Sequence, residues 1–217
     1  MIYMSADFKS PAGRLGNLLP TPKLRPLESN GQTNVRIFAF KYEEGGAGEH
    51  SWGACNEWTL AIPVEYVGEE GTGLGGYYVV WMPVTHETPM RDGIENWGFN
   101  KFLADIKFTE TRETRTCEVA VDGQRLISFT IRKAGTSEKQ LDYHVYNEMD
   151  GMLTRTLAQF RGDFGISTGD GSGSIVLGAH PLARKIESTG LELTSRDAIY
   201  GVNVRLNLPA YDSTLPL

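Results

Sequence analysis

Short runs of alternating apolar and polar residues, separated by glycine-rich turns, make up most of the chain and predict β-strands. The predicted strands are residues 2–8, 35–42, 52–64, 77–82, 117–121, 125–132, 142–148, 152–160, 175–179 and 198–209. The pairs Asp122-Gly123 and Asp150-Gly151 predict type I′ hairpin turns. Many short strands and few helices indicate a mainly β, mostly antiparallel protein.

Helical features are confined to three segments. Pro11 after Ser10 predicts a short helix over residues 11–19, which the following prolines end. Residues 181–188 form a second candidate, and residues 85–97 allow a third short helix. Because no repeat, linker or change in composition divides the chain, we predict a single domain over residues 1–217.

Composition excludes several classes of protein. Hydrophobic residues make up 40 % of the 217 residues, which is typical of a soluble globular protein. No apolar run reaches the ~18 residues of a membrane span, and no signal peptide is visible at the N-terminus. Cys55 and Cys117 fit a reducing compartment, so we expect a cytoplasmic protein that binds no membrane. The net charge of −6 argues against nucleic acid as a partner.

Motifs for other chemistries are missing from the sequence. The four histidines have no H-x-x-x-H or H-x-H spacing, the cysteines form no C-x-x-C pair, and no serine lies in G-x-S-x-G. The glycine-rich residues 68–76 and 169–173 lack the ending of a phosphate-binding loop. We therefore expect no metal site and assign both segments to turns.

One lysine stands in apolar surroundings: Lys101 follows Trp97 and Phe99 and precedes Phe102 and Leu103. A solvated lysine has a pKa near ~10.4, so at neutral pH few of its amines are nucleophilic. Apolar neighbours lower that pKa, and the neutral amine attacks a ketone to form a Schiff base. The alternative is an ordinary strand lysine whose stem covers apolar surface while its ammonium reaches water.

Alternation along the strand that begins at Phe99 predicts the surroundings of this amine. It places Phe99, Lys101, Leu103 and Asp105 on one face, and Phe102 on the other. We therefore expect Phe102 to point away from the amine.

The stretch G-I-E-N-W-G-F-N-K-F-L resembles the active-site segment of the acetoacetate decarboxylase family. The matching positions are Gly93, Glu95, Phe99, Lys101 at the Schiff-base lysine, and Leu103. The departures are Ile94 for an arginine, Asn100 for a proline and Phe102 for a second lysine. With Phe102 in the place of the activating cation, any lowering of the lysine pKa has to come mainly from desolvation.

A second segment, N-E-W-T-L-A-I-P-V, resembles the family's Glu-x-x-x-Ala-Ile-Pro-Val pattern and places Glu57 at its active-site glutamate. The alternative for Glu57 is a solvated strand residue. Weaker matches cover the Pro20-x-Pro22 turn and residues 177–183, so the resemblance extends over about residues 10–211. It implies an antiparallel closed or cone-like β-barrel with a ligand cavity.

The resemblance implies a Schiff-base lyase that decarboxylates a small β-keto acid such as acetoacetate. Lys101 would form the imine, Glu57 would position the substrate or move protons, and Glu95 would shape the lysine's surroundings. Trp97, Phe99 and Leu103 would line the substrate pocket. No cofactor is expected, because the imine is the electron sink, and a homo-oligomer is implied.

An arginine that engages the substrate carboxylate in the family has no counterpart here. Its place falls on Met1, and Arg14, Arg25 and Arg161 are candidates by charge alone. Two alternatives therefore stay open. One is a pyruvate-type aldolase-dehydratase that uses the same lysine, and the other is a non-catalytic barrel that binds a small molecule.

Overall fold

A computed structural model describes residues 1–47, 50–69, 72–211 and 213–217. In chain order the elements are β1 (Ile2–Pro11), β2 (Leu24–Pro26), β3 (Gln32–Tyr42), β4 (Gly45–Ala47), β5 (His50–Trp52), β6 (Cys55–Tyr66), β7 (Leu74–Val84), α1 (Glu87–Trp97), β8 (Lys101–Leu103), β9 (Asp105–Glu110), β10 (Thr114–Val121), β11 (Gln124–Arg132), β12 (Ser137–Met149), β13 (Met152–Leu177), α2 (Pro181–Ser188), β14 (Thr194–Asn207) and β15 (Ser213–Pro216). No helix among these ranges is long and apolar enough to cross a membrane.

Seven strands close into a barrel in the order β12-β7-β6-β3-β1-β14-β13, and the pairing of β13 with β12 completes the circle. Strands β11, β10 and β9 continue the sheet outward from the second half of β13. The long strand β13 serves both parts because register shifts near Arg161 and Thr168 bend it.

The prediction of a mainly β closed barrel is confirmed, but the prediction of an antiparallel barrel is wrong. Strand β12 pairs parallel with β7, with Val145 opposite Tyr77, while all other neighbouring strands within the seven-stranded barrel pair antiparallel. The chain leaves β7, passes through α1 and β8 to β11, and returns as β12. Such a long crossover is what a parallel pair requires.

Each barrel strand presents two apolar faces, since the sheet separates two hydrophobic clusters. On β3, Val35, Ile37 and Ala39 pack in the larger cluster outside the barrel, which includes residues of β10 and β11. Phe38 and Phe40, which alternate with them, pack inside the barrel. This explains why 35–42 is an almost continuous apolar run.

The predicted helix over residues 11–19 is wrong. Strand β1 continues to Pro11, opposite Gln32, and two separate 3-10 turns follow at Ala12–Arg14 and Gly16–Leu18. Gly13 and Gly16 disfavour a continuous α-helix, and pairing with β3 already occupies the start of the segment.

The two other helix predictions and the two hairpin turns are confirmed, whereas residues 169–173, which the sequence assigns to a turn, lie within β13. Helix α2 has the predicted bounds, and α1 lies within residues 85–97. Asp122 and Gly123 have φ of 50° and 74°, and Asp150 and Gly151 have φ of 53° and 75°. Positive φ at both central residues defines the type I′ turn.

Candidate active site

Helix α1 and its end determine where Lys101 lies. The helix stops at Gly98, which takes the left-handed conformation with φ of 69°. A Cβ at Gly98 would lie 2.3 Å from the Glu148 carbonyl oxygen, so no other residue fits. The chain then reverses and Lys101 begins β8, paired parallel with β7 opposite Met82. This turn directs the lysine back toward the helix it has just left.

Asn100, which departs from the family pattern, anchors this turn. Its side-chain amide donates to the Val80 carbonyl at 2.9 Å, and its own carbonyl accepts from the Met82 N–H at 3.0 Å. These two bonds hold Asn100 against β7. The backbone before Lys101 is therefore fixed, although Asn100 stands where the family has a proline.

The Lys101 ammonium is buried and paired with a carboxylate. Its Nζ lies 2.6 Å from Glu57 Oε2, and the exposed fractions of the two side chains are 8 % and 7 %. Nζ also donates to the Pro89 carbonyl at 3.3 Å and lies 5.8 Å from the centroid of the Phe99 ring. The surface-lysine alternative is therefore wrong, and so is the solvated-strand alternative for Glu57.

Glu57 reaches the lysine because it faces the barrel interior on β6, opposite Phe40 of β3. Its other oxygen, Oε1, accepts from the Tyr42 hydroxyl at 3.4 Å. Burial and the nearby Glu57 charge raise the pKa of Tyr42 well above its ordinary value, so the hydroxyl stays a donor at neutral pH. Sequence reasoning missed Tyr42, although its alternation with Phe38 and Phe40 indicates an inward side chain.

The Lys101–Glu57 pair lies in the wall of a cavity of about 1230 Å³, which is lined by inward side chains of the barrel and by residues of α1. Trp97 and Phe99 line it as predicted, and Trp97 is held by a bond from its Nε1 to the Pro209 carbonyl at 2.9 Å. Asp92, a buried residue of α1 that the sequence did not single out, also lines it. Among the described residues, no group of three metal-binding side chains is arranged to hold a metal ion.

Two residues expected at the site lie elsewhere. Helix α1 turns Pro89, Asp92 and Gly93 toward the lysine, and Glu95 is not among the residues that line the cavity. Glu95 lines a separate shallow depression beside Ile94. Leu103 is 43 % exposed, because β8 ends there and the expected alternation breaks before β9. Phe102 packs against the larger cluster, on the side away from the amine as predicted.

None of the three arginines proposed by charge lines the cavity: Arg14, Arg25 and Arg161 are all exposed. The arginine at its rim is Arg205 of β14, which the sequence did not indicate. A further arginine, Arg36, lies on the inward face of β3. Its Nε and Nη2 donate to the two oxygens of Asp7 at 2.6 and 2.5 Å, so its charge is already compensated.

Gly93 leaves the space through which the lysine side chain passes. A Cβ at this position would lie 2.4 Å from Cε and 2.9 Å from Nζ of Lys101. We expect Gly93→Ala to keep the fold, because a flexible side chain can move and alanine favours a helix. The displaced amine should react roughly 100-fold more slowly, since a shift of about 1 Å is enough for such a loss.

The measurement is the rate at which borohydride fixes a keto acid on Lys101. Gly13→Ala is the matched control, because a Cβ there meets nothing within 4 Å. Equal rates for Gly93→Ala and Gly13→Ala would contradict the role assigned to the glycine.

Buried groups around the cavity predict a loss of stability in alkali. Burial, reinforced by Glu57, raises the pKa of the Cys55 thiol to about 12, and burial raises the pKa of Tyr77 to about 12. Above their ordinary values the unfolded chain releases these protons while the folded chain keeps them, so stability falls with pH. We expect the denaturant midpoint to decline between pH 9 and 12, and less steeply in Cys55→Ala.

Comparison with known proteins identifies the family of this chain. The chain belongs to the acetoacetate decarboxylase family, whose model matches residues 2–183. The acetoacetate decarboxylase of Legionella pneumophila has a similar structure, with 20 % identity, a TM-score of 0.66, and coverage of 97 % of this chain and 83 % of that one. No protein of curated function matches the sequence significantly.

Two other solved structures show the same fold at lower identity. The enduracididine biosynthesis enzyme MppR, complexed with pyruvate, has 11 % identity and a TM-score of 0.65 over 98 % of this chain and 86 % of its own. An acetoacetate decarboxylase-like enzyme from Sphingomonas wittichii RW1 has 15 % identity and a TM-score of 0.58 over 99 % and 92 %. At these identities the likeness shows the fold alone, and that fold occurs both in an acetoacetate decarboxylase and in MppR.

Proposed function

We propose that the protein is a Schiff-base-forming lyase in which Lys101 condenses with the ketone of a small β-keto acid and releases CO2. The observation that carries this proposal is the buried ion pair between Lys101 and Glu57, 2.6 Å apart in the wall of a cavity. A buried amine with one adjacent carboxylate has a proton acceptor at hand.

In the first half of the reaction, Glu57 accepts a proton from the Lys101 ammonium. The neutral amine adds to the ketone, and loss of water leaves a protonated imine. The bond between the carboxylate and the α-carbon then breaks, CO2 leaves, and the electron pair moves into the imine to give an enamine. Glu57 and the Tyr42 hydroxyl, whose oxygen lies 3.4 Å from Glu57 Oε1, transfer the protons in these steps.

In the second half, the enamine takes a proton at carbon and water hydrolyses the resulting imine. This step returns the ketone product and the free lysine. The Pro89 carbonyl, 3.3 Å from Nζ, orients the amine between these steps.

The proposal is tested by reduction with borohydride in the presence of acetoacetate, followed by peptide mapping. We expect one adduct on Lys101, because hydride reduces the imine to a stable secondary amine. Absence of an adduct with every keto acid tried would favour a non-catalytic barrel that binds a small molecule.

A second candidate is an aldol condensation with pyruvate followed by dehydration. MppR, whose fold is similar, has been solved with the condensation product of pyruvate and imidazole 4-carboxaldehyde. The same lysine would convert pyruvate to an enamine, whose carbon attacks an aldehyde before water is lost. This reaction does not release CO2. Product analysis with acetoacetate alone, and with pyruvate plus an aldehyde, separates the two reactions.

A further inference from the structure

The cavity that contains Lys101 is much larger than a small keto acid. Its volume of about 1230 Å³ corresponds to roughly forty water molecules at about 30 Å³ each. A substrate that filled only the space beside the amine would leave most of this volume to water. The residues that line the remaining volume therefore indicate the chemistry of the rest of the substrate.

Aromatic rings form a continuous wall from the lysine into the barrel. The Tyr42 ring, whose hydroxyl contacts Glu57, lies 5.9 Å from Phe40, and Phe40 stacks on Phe160 at 5.8 Å. Phe160 lies 5.9 Å from Tyr143, which is 5.7 Å from Tyr77. All five rings line the cavity. Phe40 and Phe160 are only 4 % exposed, so the partly exposed rings of Tyr42, Tyr77 and Tyr143 offer the surface on which flat apolar groups bind by stacking and edge contacts.

The charges that line the cavity disfavour a substrate that carries an anionic group in addition to the carboxylate of a β-keto acid. Of the described side chains in the lining, Glu43, Glu44, Glu57 and Asp92 are carboxylates, while Lys101 and Arg205 are cations. Lys101 is paired with Glu57, and Arg205 is an exposed rim residue. Arg36, whose guanidinium lies 5.3 Å from the Tyr77 and Tyr143 rings, is paired with Asp7.

From these observations, and resting on the imine chemistry proposed above, we infer that the substrate carries an uncharged, apolar group, aromatic by preference, attached to the carbonyl that Lys101 attacks. That group lies against the Tyr143 and Tyr77 end of this wall. In the decarboxylation it is the acyl chain of the β-keto acid.

Trapping of simple methyl ketones on Lys101 measures this preference. Acetone and 4-phenylbutan-2-one differ by a benzyl group, and 5-methylhexan-2-one and 4-oxopentanoate are isosteres that differ in charge. In each case the amine and ketone lose water, and cyanoborohydride supplies the hydride that reduces the imine. We expect half-maximal trapping with the phenyl ketone at about 100-fold lower concentration than with acetone, from the apolar area it buries.

The charged probe should be trapped at least about 10-fold less well than its neutral isostere, because the side-chain cations Lys101 and Arg36 are already paired with Glu57 and Asp7. Equal half-saturation for acetone and the phenyl ketone, or a preference for 4-oxopentanoate, would overturn the inference while leaving the imine chemistry intact.

Failure of the imine proposal gives a different result: no ketone is fixed on Lys101 at any concentration. The binding of the apolar group can then be measured separately with 4-phenylbutan-2-ol, which cannot form an imine. We expect this alcohol, but not propan-2-ol, to raise the melting temperature of both the wild type and Lys101→Met. No shift with either protein would count against the aromatic wall as a binding surface.

Discussion

Lys101→Met is expected to abolish adduct formation and to lower turnover of a β-keto acid by at least about 10⁴-fold. Methionine has a similar length and fills the space beside Gly93 and Phe99, but it has no amine to form an imine. Borohydride trapping with peptide mapping, together with measurement of CO2 release, checks both parts of this expectation.

Lys101→Arg separates the nucleophile from the charge. A guanidinium keeps the positive charge beside Glu57, so the buried carboxylate stays paired, but it remains protonated and does not form the imine. We therefore expect Lys101→Arg to be as inactive as Lys101→Met and closer to the wild type in stability.

Lys41→Met is the matched control, since Lys41 is an exposed residue of β3. Its adduct yield and turnover should equal those of the wild type. An adduct that persisted in Lys101→Met, mapped to another lysine, would refute the assignment.

Glu57→Gln is expected to lower turnover by roughly 10² to 10⁴-fold, the range typical of a lost general acid or base. Glutamine has the shape of glutamate, and its single carbonyl oxygen can accept from Lys101 while its amide nitrogen takes the place of the oxygen beside Tyr42, but it does not carry a proton between steps. The imine should form more slowly, because Lys101 then loses its proton to water and not to Glu57, but borohydride should still fix the substrate on Lys101.

The combination of a retained adduct and slow product release distinguishes proton transfer from general damage to the site. Glu65→Gln is the control on the same strand, because Glu65 lies on β6 outside the cavity lining. Turnover of Glu57→Gln within a factor of two of Glu65→Gln would show that the carboxylate has no part in the reaction.

How much of the site the sequence predicts depends on how far apart in the chain the contacting residues lie. Trp97, Phe99 and Lys101 follow one another closely, so the local segment already indicates a lysine in apolar surroundings. Glu57 is separated from Lys101 by 44 residues, and only the family pattern linked the two. Helix α1 leaves Glu95 outside the cavity, and the end of β8 exposes Leu103. Residue types alone show neither the orientation of the helix nor the point at which the strand ends.

The sequence by itself determined most of the barrel strands, the two type I′ turns and α2, because these depend on alternation, on glycine at positive φ and on local helix signals. Only the tertiary structure decided that β12 pairs parallel with β7, that Tyr42 touches Glu57, and that five aromatic rings from four strands form one wall. Closing a barrel brings residues more than a hundred positions apart within contact, and single-strand patterns do not specify which strands will be neighbours.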